Sequence, residues 1–173
     1  VENHAKFQTR LVGSDADRHL AADWCRSRGV PTEVPETKVA PSFEQRHNYI
    51  DRGDLLQQFK GKPMRGEVKG TSKEFTDRNS YRFRDFIVCA THRWDFEDPK
   101  PFYIVHLSAA RTHGAVVRGY TSSNWVARDG KDRLYKGRIE RGYYIRTSLV
   151  FFFDLRDPSI TFMDFLYAPP SCV

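Results

Sequence analysis

The sequence predicts a mixed α+β (α/β) fold, in which helices flank one central mixed β-sheet. Three features support this prediction: an apolar stripe at helical spacing near the N-terminus, a β-hairpin in the middle of the chain, and two apolar runs of strand length after it, FIVCATH and FYIVHLS. The chain has 173 residues, which is the length of a single domain with its own core.

The first element is a helix, predicted from four apolar residues at i, i+4, i+5 and i+8: Ala16, Leu20, Ala21 and Trp24. Gly29 and Pro31 provide the stop signal at its C-terminal end. The helix can begin as early as Lys6 if Gly13 is tolerated inside it.

The hairpin is the second element. Residues 30–48 contain three prolines and predict an irregular approach with one short strand. Residues 54–59 and 64–70 then form two strands, with Gly61-Lys62 at the turn.

The remaining elements follow from apolar segments in the second half of the chain. The polar residues 71–85 predict a loop with a short helix. The continuous apolar runs at 86–92 and 102–108 are typical of strands buried on both faces. Residues 148–155 form a last strand or helix, and 160–167 a final apolar segment.

Composition limits the class of protein. Hydrophobic residues make up 39% of the chain and aromatic residues 14%, which is typical of a folded protein. No apolar run reaches the roughly 20 residues of a membrane span, and the N-terminus lacks an apolar leader, so we expect no membrane partner. The three cysteines (Cys25, Cys89, Cys172) form no C-x-x-C pair, which favours a reducing, cytoplasmic location and two core thiols, Cys25 and Cys89.

The net charge of +6 is concentrated in one segment. Residues 128–146 contain seven basic residues, three acidic residues and three interleaved tyrosines. One interpretation is a solvated loop and strand edge, and the other is a surface that follows a phosphate backbone. The basic residues chosen as candidate nucleic-acid contacts here are Lys131, Arg133, Lys136 and Arg138.

Charged residues of the hairpin form the main candidate site. Side chains alternate along a strand, so Glu67 and Lys69 share one face while Val68 points to the other. A two-residue turn at Gly61-Lys62 places Asp54 opposite Lys69 and diagonal to Glu67. Any register that differs by an even number of residues keeps all three charged side chains on one face.

Two carboxylates and an ammonium group on one face favour a cation site. Adjacent acids repel each other, and a divalent cation relieves that repulsion. Mg²⁺ takes one or two carboxylates, retains waters and accepts phosphate oxygens. It also activates water and neutralises phosphate charge, while a nearby lysine can hold the attacking water. The alternative is an ordinary solvated hairpin.

Asp54, followed after twelve residues by Glu67-Val68-Lys69, resembles the core of the PD-(D/E)XK, or restriction-endonuclease-like, nuclease superfamily. Glycines bracket the Glu-Val-Lys triplet, and the helix pattern G-x3-D-x3-A-x7-G, with Asp17 as its acid, is similar to the first helix of resolvase-like members. The resemblance covers about residues 13–108. Phage-type and homing-type members are equally compatible. Gly53 stands where the motif has a proline, and Asp51 is a competing first acid.

The resemblance implies a role for each motif residue. Asp54 and Glu67 would bind Mg²⁺, for which Mn²⁺ can substitute, together with the carbonyl of Val68. Lys69 would activate the attacking water. Asp17 would be a further acid of the site, although an acid in the first turns of a helix is also stabilised by the helix dipole.

The expected protein is therefore a single nuclease-like domain over 1–173, with a core at about 13–108 and a basic, aromatic extension at 109–173. It would be a Mg²⁺-dependent endodeoxyribonuclease acting on DNA, with RNA left open, and cleavage of both strands would favour a homodimer. The alternatives are an inactive nucleic-acid-binding module of the same fold and a basic protein-interaction domain.

Three basic residues after the Glu-x-Lys strand are expected near the scissile phosphate: Lys73, Arg78 and Arg82. If a helix forms in this segment, Arg78 and Arg82 share one of its faces because they are four residues apart.

Overall fold

A computed structural model of the chain describes residues 2–36, 53–131 and 139–170, with side chains for all of these except 2–13 and 131. The helices are α1 (Glu2–Ser27), α2 (Thr91–Asp95) and α3 (Phe162–Tyr167). The strands are β1 (Thr32–Glu33), β2 (Leu55–Phe59), β3 (Lys62–Gly70), β4 (Asp85–Ala90), β5 (Tyr103–Leu107), β6 (His113–Arg118), β7 (Val126–Lys131), β8 (Ile139–Arg146) and β9 (Phe151–Asp154). None of the helices described is long and apolar enough to cross a membrane.

The strands form two sheets, and this confirms the mixed α+β class. The larger sheet has the order β1-β2-β3-β5-β6-β9, in which β3 and β5 are parallel and the other neighbours antiparallel. The smaller sheet, β4-β8-β7, is antiparallel throughout. The expectation of one sheet with helices on both sides is therefore wrong for one face, which a second sheet covers.

Helices cover the other face of the large sheet. α1 ends at the predicted place, where Gly29 adopts a φ of +75° that favours glycine. The apolar residues of α1, including the predicted Trp24, pack with α3 and with the β-sheet side chains Val68 and Val105. The rings of Trp24 and of Phe165 in α3 are tilted to each other, with their centroids 5.1 Å apart. This contact anchors the C-terminal helix to the N-terminal one.

A second apolar cluster lies between the two sheets. It contains Phe86 and Ile145 from the small sheet and Ile104 from the large one. β5 is buried on both faces, as its apolar run predicts. β4 is not, because Ile87 is 43% exposed on the outer face of the small sheet.

The β2–β3 hairpin turns at Lys60-Gly61 and not at Gly61-Lys62. Both turn residues have positive φ, +50° and +73°, so that glycine takes the second position as in Asn-Gly turns. Phe59 consequently pairs with Lys62 and Leu55 with Gly66. The predicted register is wrong by two residues, but an even shift leaves every side chain on its predicted face.

The crossover from β3 to β5 begins with an irregular loop at 71–84, where a short helix was predicted. The backbone N–H of Ser80 donates to the Asp77 carboxylate at 2.8 Å, and the Ser80 hydroxyl accepts the N–H of Asp77 at 3.0 Å. Such local side-chain hydrogen bonds compete with helical ones. Phe75 and Tyr81 are buried between the sheets, so the loop is anchored at both sides of this turn.

Candidate active site

Asp54 lies immediately before β2, beside the central strand β3. The Val68 backbone N–H donates to Asp54 Oδ2 at 2.7 Å. The carboxylate thus takes the place of the backbone carbonyl that β2 would offer to Val68 if the strand were longer. Leu55 pairs with Gly66, so Asp54, the residue before Leu55, lies opposite Glu67 in this register. The two predicted acids therefore occupy opposed positions, Asp54 just before β2 and Glu67 on β3.

Glu67 is buried on β3, on the face that is turned toward the small sheet and away from the buried Val68. Burial, and after it the negative charges of Asp54 and Glu97, raise the pKa of the Glu67 carboxyl, which is about 8. Lys69 and Arg93 act in the opposite direction. The predicted acids and lysine thus interact electrostatically. The carboxylates raise the pKa of Glu67 by more than Lys69 lowers it.

Lys69 lies two residues from Glu67 and pairs in register with His106 of β5. Burial, followed by the positive charge of Lys69, lowers the pKa of His106 to about 3. His106 Nε2 lies 3.1 Å from the Val88 carbonyl oxygen, to which the neutral ring can donate. His106 is therefore a neutral structural residue near physiological pH, as expected for a histidine without a predicted role.

Two charged residues that sequence reasoning missed also belong to this cluster. Arg65 Nη2 lies 3.3 Å from Glu67 Oε1 and 2.5 Å from Glu97 Oε1, so one guanidinium joins two acids. Arg65 has the same parity on β3 as Glu67 and Lys69, and that signal could have identified it. Glu97 lies after α2 in an irregular segment, where no periodicity indicates its position.

The segment that contains α2 covers Glu67. A narrow pocket of about 10 Å³ is lined by Glu67 and Lys69 on one side and by Arg93, Trp94 and Glu97 on the other. That volume suits about one water molecule. The Glu67 side chain is only 9% exposed, so the site is enclosed in this conformation.

Asp17 has a different environment from Glu67. Both of its carboxylate oxygens accept from Arg111, Oδ1 from Nε at 2.7 Å and Oδ2 from Nη2 at 3.0 Å. It also packs against Gly70, where an added Cβ would lie 1.9 Å from Asp17 Oδ2. The neighbouring residue Arg18 is the one that approaches Asp54, with 3.4 Å between Nε and Oδ1.

Comparison of this chain with protein-family models, with curated proteins and with solved structures found no match.

The donor set for a metal consists of few residues. Within the described ranges, no three or more His, Cys, Asp or Glu side chains are grouped so as to hold a metal ion. Asp54 and Glu67 remain as two carboxylates, which is a sufficient protein contribution for Mg²⁺. Burial is the largest cause of the raised pKa of Glu67, and repulsion from Asp54 is the next. Arg18 and Arg65 partly neutralise the same two acids.

The predicted nucleic-acid contacts divide into two groups. Arg78 and Arg82 do not share a helical face, because they lie in the 71–84 loop, but both line one pocket. Lys73 lies in the same loop, with its Nζ 3.8 Å from the centre of the Phe83 ring. Lys131 ends β7, and its side chain is outside the described residues. The other predicted contacts, Arg133, Lys136 and Arg138, and the competing acid Asp51 also lie outside them.

The two cysteines expected in the core are buried. Burial raises the pKa of both thiols, Cys25 and Cys89, to about 11. A thiol with so high a pKa is a poor nucleophile. Cys172 lies outside the described residues.

Proposed function

We propose that this chain is a Mg²⁺-dependent endodeoxyribonuclease of the restriction-endonuclease-like, PD-(D/E)XK class. The observation that carries the proposal is the electrostatic coupling of Asp54, Glu67 and Lys69, with the pKa of Glu67 raised to about 8. Buried acids with strongly raised pKa values are concentrated at functional sites, and an adjacent lysine is the partner that phosphodiester hydrolysis needs.

The order of elements supports the same proposal. A helix, α1, precedes the hairpin β2–β3, and β3 then pairs in parallel with β5. Glu67 lies on the central strand β3, and Asp54, immediately before β2, is held to that strand by the hydrogen bond from the Val68 N–H. Sites on central strands hold their geometry better than sites on loops.

Each residue has a role that follows from its position. Asp54, Glu67 and the Val68 carbonyl would hold the cation, and Mn²⁺ would serve in place of Mg²⁺. When bound, Mg²⁺ supplies the charge that activates water and neutralises the phosphate. Lys69 would hold the attacking water or the phosphate oxygen through its ammonium group. Glu67 must lose its proton first, and Arg65 would position it through the pair at 3.3 Å.

A plasmid-nicking assay tests the proposal. We expect cleavage with Mg²⁺ or Mn²⁺ and none with EDTA. Glu67→Gln and Lys69→Met should each lower the rate about a hundredfold or more, because each removes a group that acts on the reacting atoms. Glu33→Gln, on the exposed end of β1, is the matched acid control and should cleave at the wild-type rate. Cleavage that persists in EDTA or in Glu67→Gln would contradict the proposal.

One observation favours a second candidate, a nucleic-acid-binding module of this fold that does no chemistry. Trp94 and Glu97 enclose Glu67, and a substrate phosphate must displace them to reach it. The same assay separates the two candidates, because the module binds plasmid without nicking it. Absence of both binding and cleavage would favour a basic protein-interaction domain. RNA substrates and a homodimer that cuts both strands belong to the first candidate.

A further inference from the structure

A pocket of about 490 Å³ lies at the start of β4, away from Glu67. Four arginines line it: Arg78, Arg82, Arg84 and Arg146. We infer that this basic pocket binds consecutive phosphates of the DNA backbone and so anchors the substrate at a distance from the acids. The inference rests on the proposed function in taking DNA as the ligand.

The charge of the basic pocket is compensated only in part, by Asp85 beside Arg84 and Arg146. Its lining contains no carboxylate. In the part of the chain that the structure describes, no salt bridge involves Arg78, Arg82 or Arg84. Arg146 Nε lies 3.8 Å from Asp85, and that carboxylate is held more closely by Arg128 at 2.6 Å. Four arginines around one pocket bring like charges close together, and an anion bound there would reduce their repulsion.

The backbone that carries these arginines is held in place. The Thr147 hydroxyl donates to the Phe83 carbonyl at 2.7 Å, and the Thr147 N–H donates to the Arg84 carbonyl at 2.9 Å. The buried ring of Tyr81 anchors the loop between Arg78 and Arg82. The backbone of the pocket is therefore positioned before a ligand arrives, and the exposed arginine side chains are the part that must be ordered on binding.

The size and charge of the pocket favour a chain of phosphates over one. Arginine is the residue that recognises phosphate in a bidentate manner, and backbone contacts fix the position of a protein on DNA. Lys73, whose ammonium group lies over Phe83, adds a further positive charge at the rim. A polymeric ligand can satisfy several such cations at once.

Strand β4 sets the spacing between the two sites. It begins at Asp85, next to Arg84, and its fifth residue, Cys89, lines the pocket over Glu67. The five steps from Arg84 to Cys89 span up to about 17 Å at about 3.3 Å per residue, less the shortening at the register shift between Ile87 and Cys89. Phosphates of one DNA strand advance about 3.4 Å each along the axis, so a strand that follows β4 would meet the two sites several nucleotides apart.

The salt dependence of DNA binding tests this inference. Fluorescence anisotropy of a labelled duplex is measured in EDTA over a series of KCl concentrations. We expect the double variant Arg78→Gln/Arg82→Gln to lower the slope of log K against log[KCl] by about 2, because each lost phosphate contact removes about 0.9. The charge-matched control is Lys60→Gln/Lys62→Gln at the exposed hairpin turn, whose slope should equal that of the wild type.

Each outcome distinguishes the pocket from the nuclease. Equal slopes in the two double variants would overturn the pocket and leave the nuclease standing. A reduced slope in the arginine variant without any nicking by the wild type would support the pocket and contradict the nuclease. Absence of duplex binding by the wild type, together with absence of nicking in Mg²⁺, would overturn both.

Inorganic phosphate distinguishes a polymer from a small phosphate ligand. We expect inorganic phosphate to compete with the duplex only at concentrations far above those at which the duplex binds, because one phosphate satisfies few of the arginines. Phosphate binding as tight as duplex binding, and absent in Arg78→Gln/Arg82→Gln, would mean that the pocket takes a free phosphate compound, and would overturn its assignment to the DNA backbone.

Discussion

Glu67 is the residue whose surroundings differ most from those of an ordinary surface acid. It is buried beside two other acids, Asp54 and Glu97, and these conditions raise its pKa from 4.5 to about 8. A carboxyl with a raised pKa binds its proton more tightly in the folded chain than in the unfolded one. Stability therefore falls as pH rises from 4.5 toward 8 and this proton is lost.

We predict that this pH dependence is visible in urea unfolding. In EDTA, the free energy of unfolding of the wild type should decrease between pH 4.5 and pH 8, the ordinary and raised pKa values of Glu67. Glu67→Gln, which cannot ionise, should flatten the decrease, and Glu33→Gln should leave it as in the wild type. Adding Mg²⁺ should also reduce it, because the cation replaces the proton. Identical pH profiles for wild type and Glu67→Gln would refute the assignment.

Asp17 is a second buried acid, and its carboxylate has a different role from that of Glu67. Its carboxylate is almost buried and is held by Arg111 in a bidentate pair. This pair joins α1 to the turn that precedes β6, next to the end of β3. The geometry therefore gives Asp17 a role in joining elements, in addition to the site role that the sequence motif implies.

We predict that Asp17→Asn lowers the free energy of unfolding by about 1–3 kcal/mol, because it leaves a charged hydrogen-bonding partner unsatisfied. Unfolding in urea measures this loss. Asp23→Asn on the exposed side of the same helix is the matched control and should change stability far less. Cleavage by the folded Asp17→Asn variant decides the second role: a rate near that of the wild type removes Asp17 from the chemistry, and a hundredfold loss keeps it there.

At the scale of elements, the β2–β3 hairpin could be predicted because its information is local. Alternation alone places Glu67 and Lys69 on one face, and an error of two residues in register does not change that result. The exact turn depends on the positive φ of Lys60, which a lysine does not signal. The helix predicted at 71–85 failed for a different reason, since Asp77 and Ser80 form a closed turn that offers the backbone other partners.

We predict that Gly61→Ala destabilises the hairpin by about 1–2 kcal/mol, the cost of placing a Cβ in the left-handed region. Space is not the reason, because nothing lies within 4 Å of the added Cβ. Gly61→Asn should cost clearly less, since asparagine tolerates this conformation. Thermal unfolding of the two variants provides the measurement. Equal stability of Gly61→Ala and the wild type would mean that the turn lies elsewhere.

The whole molecule has three layers: helices, the six-stranded sheet and the three-stranded sheet. Sequence patterns could not predict the third layer, because β4 and β8 pair across more than fifty residues and neither strand signals its partner. They also could not predict that Glu97 returns to Glu67, for the same reason of distance along the chain. The sequence therefore predicts the elements that local periodicity specifies, and it does not predict the contacts between segments that are distant along the chain.

The crossover between β3 and β5 has a consequence for how such a protein can change. Its first part carries Arg78, Arg82 and Arg84, and its last part brings Trp94 and Glu97 over the acids. The parallel strands at its two ends keep their register whatever length of chain connects them. Under the proposed function, insertions in this one connection would alter which polymers bind and how readily the pocket over Glu67 opens, while Asp54 and Glu67 stay where the sheet holds them.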